Sequence, residues 1–166
     1  SVQITINFAV LPAIDNSENK TPLMFLAGGP GQAAVELAAG LHSAFNEVRK
    51  TRDIILVDQR GTGQSHPLEC NEIAANLDVY QVIPESFTAQ EVQQCIETFS
   101  GDLSQYNSEN AIRDFDAIRQ ALGHSKVNIY GGSYGTRAGL VYMRMFPDSL
   151  RSVVLDSVGP IEVPIG

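Results

Sequence analysis

The segment 126-KVNIYGGSYGTRAG-139 decides how the rest of this chain is interpreted. Its first part, Val127 to Tyr130, is a largely apolar run that predicts a buried strand. The stretch Gly131-Gly132-Ser133-Tyr134-Gly135 follows with the pattern G-x-S-x-G, and a segment with helical spacing comes next. The order strand, tight turn and helix is typical of a nucleophile elbow, in which a strained turn lifts a serine hydroxyl clear of the sheet.

A nucleophile elbow requires residues without side chains two positions before and two positions after the serine. We expect a side chain at Gly131 or Gly135 to clash with the neighbouring strand and helix. Ser133 is then the candidate nucleophile, and the amide of Tyr134 points to where negative charge develops during acyl transfer. Two other interpretations stay open here, because glycine-rich turns between strand and helix also serve close packing or phosphate binding.

Hydrophobic patterning predicts strands and helices in alternation along the chain. Apolar and polar residues alternate from Val2 to Leu11, which predicts a half-buried first strand. Further strands are predicted over Leu23–Ala27, Ile54–Val57, Val127–Tyr130 and Ser152–Leu155. Helices are predicted over Gln32–Lys50, Ser108–Leu122 and Thr136–Phe146, with shorter helices around Ile73–Leu77 and Ala89–Phe99. This alternation indicates an α/β fold with a mostly parallel sheet and helices on both faces.

Length and composition are those of a globular domain. The 166 residues are 43% hydrophobic and 18% charged, which suffices for one core, and no apolar run reaches the length of a membrane span. A net charge of −8 without a basic run argues against nucleic acid and membrane surfaces as partners. The N-terminus lacks the order of residues that marks a signal peptide, so none is expected within these residues.

A second glycine-rich stretch, Gly28-Gly29-Pro30-Gly31, follows a predicted strand and opens a predicted helix. It lacks the ending of a P-loop and the spacing of a dinucleotide-binding turn, so nucleotide binding is not expected. It fits better as the loop that supplies the second amide of an oxyanion hole, with Gly29 as the candidate, and a purely structural turn is the alternative. No cofactor or metal site is expected, since Cys70 and Cys95 lie too far apart for a CxxC pattern.

Three stretches carry a resemblance to a known family: LAGGPGQ (26–32), VDQRGTGQSHPLEC (57–70) and NIYGGSYGTRAGLVYMRMFPDSLRSVVLDSV (128–158). In this order they resemble the α/β-hydrolase serine peptidases of the proline iminopeptidase and tripeptidyl aminopeptidase family. The secreted tripeptidyl aminopeptidase branch is the more similar one. The resemblance implies an α/β-hydrolase core that releases N-terminal residues or tripeptides from a peptide substrate through an acyl-enzyme on Ser133.

The same resemblance implies roles for further residues. Gly29 and Tyr134 would supply the oxyanion amides, and Cys70 and Cys95 would form a disulfide that ties the loop after the Ile54–Val57 strand to the following helix. A disulfide agrees with a secreted or periplasmic location. Two free thiols in a cytoplasmic protein are the alternative.

The chain departs from the family where the rest of the catalytic machinery would lie. The α/β-hydrolase order is serine, then an acid, then histidine, and no histidine follows Ser133. His42, His66 and His124 all precede it and are interpreted as surface residues. Asp156 is interpreted as structural, because in the family the acid comes one strand later, after an inserted cap.

We therefore expect residues 1–166 to be the N-terminal part of a single α/β-hydrolase domain that lacks the cap and the C-terminal strands. The strand Ser152–Leu155 would form an open edge that either holds the C-terminal remainder of the enzyme or self-associates. Two rival functions stay open. One is an esterase or acyltransferase, since the scaffold does not choose the acyl group, and the other is a non-catalytic fragment that binds a complementary chain.

Overall fold

A computed structural model describes residues 3–15, 17–18, 20–70 and 88–162. Within these residues, five strands form one sheet in the order β1-β3-β2-β4-β5. They span Phe8–Leu11 (β1), Leu23–Leu26 (β2), Ile54–Val57 (β3), Val127–Gly132 (β4) and Leu150–Asp156 (β5). Strands β2, β3, β4 and β5 pair in parallel, and β1 pairs with β3 in antiparallel orientation. The predicted mostly parallel sheet is confirmed.

Helices occupy the connections between the parallel strands. They span Ala38–Ala44 (α1), Asn46–Arg49 (α2), Ala89–Thr98 (α3), Ser108–Ala121 (α4) and Tyr134–Met145 (α5), with short 3-10 turns at Val35–Leu37, Leu103–Gln105 and Pro147–Ser149. The helices predicted over 108–122 and 136–146 are confirmed to within two residues at each end. The short helix predicted around Ile73–Leu77 lies outside the described residues.

The single helix predicted over Gln32–Lys50 is wrong in its continuity. A 3-10 turn comes first, and α1 and α2 are separated at Phe45, whose φ of −103° and ψ of 25° leave the helical region. At this break the Phe45 ring packs edge-on against Phe25 and Tyr130, with ring centroids 6.0 and 5.1 Å away. Packing against the sheet therefore outweighs the helical periodicity of the sequence.

The first strand is shorter than the alternating pattern predicts. It begins at Phe8, because the Asn7 backbone amide donates to Ser65 Oγ and the Asn7 side chain donates to Asp58. The backbone N–H of Asn7 therefore bonds to the loop after β3 and does not donate to a neighbouring strand. Val2, where the predicted strand began, lies outside the described residues.

The interior strands are covered on both faces of the sheet. All four residues of β3 are buried, as a continuous apolar run predicts, and they alternate between two core clusters. Ile55 and Val57 face the cluster that includes residues of α4 and α5, and Ile54 and Leu56 face the cluster that includes Leu41 of α1. The sheet is therefore the middle of three layers.

A buried polar contact fixes α5 against α4. The Tyr142 hydroxyl donates to Asp116 Oδ1 at 2.8 Å, and Asp116 also forms an ion pair with Arg119. Burial alone would raise the pKa of Asp116, but the hydrogen bonds from Arg119, Gln120 and Tyr142 together hold that pKa below its usual range. Burial, and then the bond to Asp116, raises the pKa of Tyr142. These bonds hold in place the helix that begins at the candidate nucleophile.

Cys70 and Cys95 form a disulfide that joins the loop after β3 to α3, as the family resemblance implied. The bridge closes a loop across a sequence separation of 25 residues. In the chain-entropy model, a closed loop of this size stabilises the folded state by about 3 kcal/mol.

Replacing both cysteines with serine should lower the free energy of unfolding by about 3 kcal/mol, because the unfolded chain regains the entropy that the bridge removes. Urea unfolding of the double variant and the unmodified protein measures this difference. Thiol counting under denaturing, non-reducing conditions gives an independent readout. Two reactive thiols in protein purified from its native compartment would show that the bridge does not form there.

Candidate active site

Ser133 occupies the turn between β4 and α5 with strained backbone angles. Its φ is 53° and its ψ is −119°, a region that residues with a side chain rarely adopt. Such a conformation costs about 1 to 3 kcal/mol and persists only where the surrounding structure enforces it. The side chain of Ser133 is exposed, so the turn presents the hydroxyl to solvent at the carboxyl end of β4.

The structure leaves no room for a side chain at the two glycines that flank the serine in the motif. A Cβ at Gly131 would lie 2.3 Å from the carbonyl oxygen of Gly135, in the first turn of α5. A Cβ at Gly135 would lie 2.1 Å from the carbonyl oxygen of Leu26, in β2. Glycine at both positions therefore lets strand and helix approach closely enough to form the sharp turn.

Hydrogen bonds hold the backbone of the serine at both of its polar groups. The Ser133 amide donates to the carbonyl oxygen of Asp156 at 2.9 Å. The Ser133 carbonyl accepts from the Thr136 amide at 3.0 Å and from the Thr136 hydroxyl at 2.6 Å. The next residue, Tyr134, shares a hydrogen bond of 2.8 Å between its hydroxyl and Ser108 Oγ at the start of α4.

The second glycine-rich stretch lies beside the serine. It follows β2, which is the parallel neighbour of β4, and a Cβ at Gly28 would be 3.4 Å from Ser133 Cβ. The Gly28 amide donates to Gln32 Oε1 at 3.3 Å, and Gly29 has a φ of 105°. The loop is thus close enough to act on a group bound at Ser133, and the role of the Gly29 amide stays a prediction.

Sequence reasoning missed Asp58, a buried carboxylate that organises the loops around the site. Asp58 Oδ1 accepts from the Val35 amide at 2.9 Å, and Oδ2 accepts from Asn7 Nδ2 at 2.8 Å and from the Gln64 amide at 3.3 Å. The bond to Val35 ties the exit of the glycine-rich loop to the end of β3. The signal that could have revealed this role is an acidic residue directly after a fully buried strand.

A second missed interaction connects the loop after β3 to α4. The Arg60 guanidinium donates two hydrogen bonds of 2.8 Å to the Asp114 carboxylate. Both side chains are largely buried, with exposed fractions of 14% and 17%. A bidentate pair with so little solvent access fixes the loop more firmly than a surface ion pair would.

The structure separates the three histidines. His42 is exposed on α1. His66 lies in the loop after β3, and its half-buried ring packs edge-on against Tyr106. His124 lies in the turn before β4, at the opposite end of that strand from Ser133. The three histidines that precede Ser133 in the sequence therefore lie in three different parts of the fold.

Asp156 ends β5 and pairs in register with Gly132. Its Oδ2 accepts a hydrogen bond of 2.5 Å from the Tyr130 hydroxyl, and this bond raises the pKa of Tyr130. The Asp156 carbonyl oxygen accepts from the Ser133 amide. Both contacts are those of a residue that supports the elbow from the neighbouring strand.

The described residues contain neither a membrane-spanning helix nor a cluster of metal-binding side chains. Residues 3–15, 17–18, 20–70 and 88–162 contain no helix that is both long and apolar enough to cross a membrane. The same part of the chain contains no group of three or more histidine, cysteine, aspartate or glutamate side chains that could hold a metal ion.

The chain is similar to known proteins in sequence and in fold. Residues 21–165 match a family model described as the alpha/beta hydrolase fold. Tripeptidyl aminopeptidase of Streptomyces coelicolor is 33% identical over 156 residues, which cover 86% of this chain and 29% of that protein. Serine protease Hip1 of Mycobacterium tuberculosis is 34% identical over 159 residues, which cover 86% of this chain and 30% of that protein.

A solved structure agrees with the fold. The crystal structure of proline iminopeptidase from Mycobacterium smegmatis aligns with a TM-score of 0.61 and 21% sequence identity, over 90% of this chain and 39% of that one. The chain spans about 30% of the length of the curated relatives named above.

Proposed function

Because the chain belongs to the α/β-hydrolase family, we propose that it carries the nucleophile of a serine peptidase that releases N-terminal residues or tripeptides. The observation that carries this proposal is the exposed Ser133 on a strained turn, beside the glycine-rich loop that follows β2. Relatives named tripeptidyl aminopeptidase and serine protease support a peptide as the substrate.

In the proposed reaction, Ser133 Oγ attacks the scissile carbonyl carbon while its proton passes to a general base. The amides of Tyr134 and Gly29 stabilise the oxyanion that forms. The carbon–nitrogen bond then breaks, the protonated amine leaves, and water hydrolyses the acyl-enzyme. In the α/β-hydrolase order the acid and the histidine base follow the serine, so we propose that residues beyond these 166 supply both.

A comparison of three substrates tests the substrate class in the full natural protein. We expect hydrolysis of a tripeptidyl amide with a free N-terminus and little hydrolysis of its N-acetylated form. An ester of the same tripeptide is the control, because its leaving group is an alcohol and not an amine. Hydrolysis of simple esters without hydrolysis of the amide would favour the esterase alternative.

A secreted or periplasmic location is part of the proposal. The Cys70–Cys95 disulfide supports it, because disulfides persist in oxidising compartments. Cell fractionation of the native host, followed by immunoblotting, would locate the protein. Recovery in the cytoplasm with reduced thiols would contradict this location.

The edge formed by β5 gives a prediction for the 166-residue chain expressed by itself. β5 lies at one end of the sheet order, and the exposed fractions of Val154, Val158 and Ile161 are 52%, 56% and 50%. We expect this chain to self-associate through the edge and to lack peptidase activity, because open strands and apolar patches promote association and none of these 166 residues after Ser133 is a histidine. Size-exclusion chromatography with light scattering and a peptidase assay measure both properties.

A lysine at Val154 should shift the same chain towards the monomer, because a charge on an edge strand opposes strand pairing. Val92 on α3 provides the matched control, since it is a valine with an exposed fraction of 43% that lies outside the sheet. Val92→Lys should leave the association unchanged. A monomeric unmodified chain that hydrolyses peptides would contradict both parts of the prediction.

A further inference from the structure

The hydroxyl of Thr136 connects the elbow to the segment that follows β5. Thr136 Oγ1 donates to the Ser133 carbonyl oxygen at 2.6 Å and accepts from the Gly159 amide at 2.9 Å. The residue is completely buried, with an exposed fraction of 0%. One hydroxyl group thus uses its donor and an acceptor site to join two segments that are 23 residues apart.

A second link joins the same two segments on the other side of the serine. The Ser133 amide donates to the Asp156 carbonyl oxygen, so residues 133–136 and 156–159 are joined twice. Arg137 adds a hydrogen bond from its guanidinium to the Pro160 carbonyl oxygen. Because both backbone polar groups of Ser133 are engaged, its unfavourable φ is enforced from two directions.

The Thr136 hydroxyl also helps to fix the peptide group that follows the serine, since it donates to the Ser133 carbonyl oxygen at 2.6 Å beside the longer bond of 3.0 Å from the Thr136 amide. The Ser133 carbonyl and the Tyr134 amide belong to one planar peptide unit, in which C=O and N–H point in opposite directions. A hydrogen bond that fixes the carbonyl therefore fixes the direction of the Tyr134 N–H. Stabilisation of an oxyanion depends on this direction, because the donor has to be aligned before the charge develops.

We infer that Thr136 is a positioning residue, whose hydroxyl orients the Tyr134 amide and links that orientation to the segment around Gly159. This inference rests on the proposed function to the extent that Ser133 is acylated. It assigns to the threonine of the GGSYGTR stretch a role in the geometry of the oxyanion hole, and Thr136 itself does not contact the substrate.

Three variants of the full natural protein test the inference. Thr136→Val removes the hydroxyl and keeps the shape, and should lower kcat about tenfold or more with KM changed less than about twofold, since the amide acts mainly on the transition state. Thr136→Ser keeps the hydroxyl and should retain most of kcat. Thr98→Val is the matched control, because the Thr98 hydroxyl also donates to a carbonyl three residues earlier, that of Cys95, on the exposed helix α3.

Amide hydrogen exchange provides a readout that is independent of turnover. The Gly159 amide should exchange faster in Thr136→Val than in Thr136→Ser or Thr98→Val. Wild-type kcat in Thr136→Val would overturn the inference, and so would an equal loss in Thr136→Ser. The inference would also be overturned if thermal unfolding showed that the folded fraction of Thr136→Val falls by the same factor as its kcat.

The proposed function can fail separately from this inference. If the unmodified protein cleaves esters but not peptides, the peptidase proposal fails, and the same kcat comparison on an ester decides the role of Thr136. If no substrate acylates Ser133 and no fluorophosphonate phosphonylates it in the unmodified protein, both are overturned, because no oxyanion is then formed at this site.

Discussion

Replacing Ser133 with alanine in the full natural protein should reduce kcat for peptide hydrolysis by at least about 10⁴-fold, since the remaining groups of a serine hydrolase site give only weak catalysis. The elbow exposes the hydroxyl at the carboxyl end of β4, beside the loop that follows β2. Removing it deletes the atom that we propose forms the acyl-enzyme and leaves the turn in place. A continuous assay with the tripeptidyl amide measures the loss.

Fluorophosphonate labelling tests the same residue without a substrate. Mass spectrometry of the digested, labelled protein should find the adduct on the peptide that contains Ser133, and the alanine variant should not be labelled. Ser125→Ala is the control, because this exposed serine precedes β4 at the opposite end of the same strand. It should keep both labelling and activity. An adduct on a different serine would remove the central claim of the proposed function.

The interior of the sheet could be predicted from the sequence because its signals are local. β2, β3 and β4 are short apolar runs whose residues are mostly buried, and each lies where the pattern places it. The helix α4 begins at Ser108, directly after Asn107, whose side chain accepts a hydrogen bond from the Asn110 amide. A cap and an apolar stripe within one segment are sufficient to define such a helix.

The periphery could not be predicted in the same way, because distant contacts decide it. Asn7 is taken out of the first strand by bonds to residues 51 and 58 positions away. The break between α1 and α2 depends on the aromatic rings of Phe25 and Tyr130 in the sheet. Local periodicity does not contain information of this kind.

The same distinction applies to the site. The sharp turn at Ser133 and the close packing at its flanking glycines could be predicted because a strand, a turn and a helix follow one another in one short motif. Asp58 and Arg60 were missed because their partners, Val35 and Asp114, are 23 and 54 residues away. A buried polar residue implies a partner without identifying it, so the structure was needed to show which loops these residues join.

Gly135→Ala should have the largest effect on folding of any single methyl group added near the site. The new Cβ would lie 2.1 Å from the Leu26 carbonyl oxygen and 3.0 Å from that of Ala27. These atoms belong to β2 and the residue after it, so relief requires moving the interior strand or the start of α5. We expect the free energy of unfolding to fall by about 3 kcal/mol or more, since overpacking of a rigid interior is costly.

Two other glycines of the same region provide graded controls for this prediction. A Cβ at Gly132 would meet nothing within 4 Å, so Gly132→Ala should change stability by less than about 1 kcal/mol. A Cβ at Gly139 would lie 2.9 Å from Leu155 Cδ2, a flexible side-chain end that can move, so Gly139→Ala should fall between the two. Denaturant unfolding of the three variants measures the order. If Gly135→Ala were as stable as Gly132→Ala, the close approach of α5 to β2, on which the elbow depends, would be wrong.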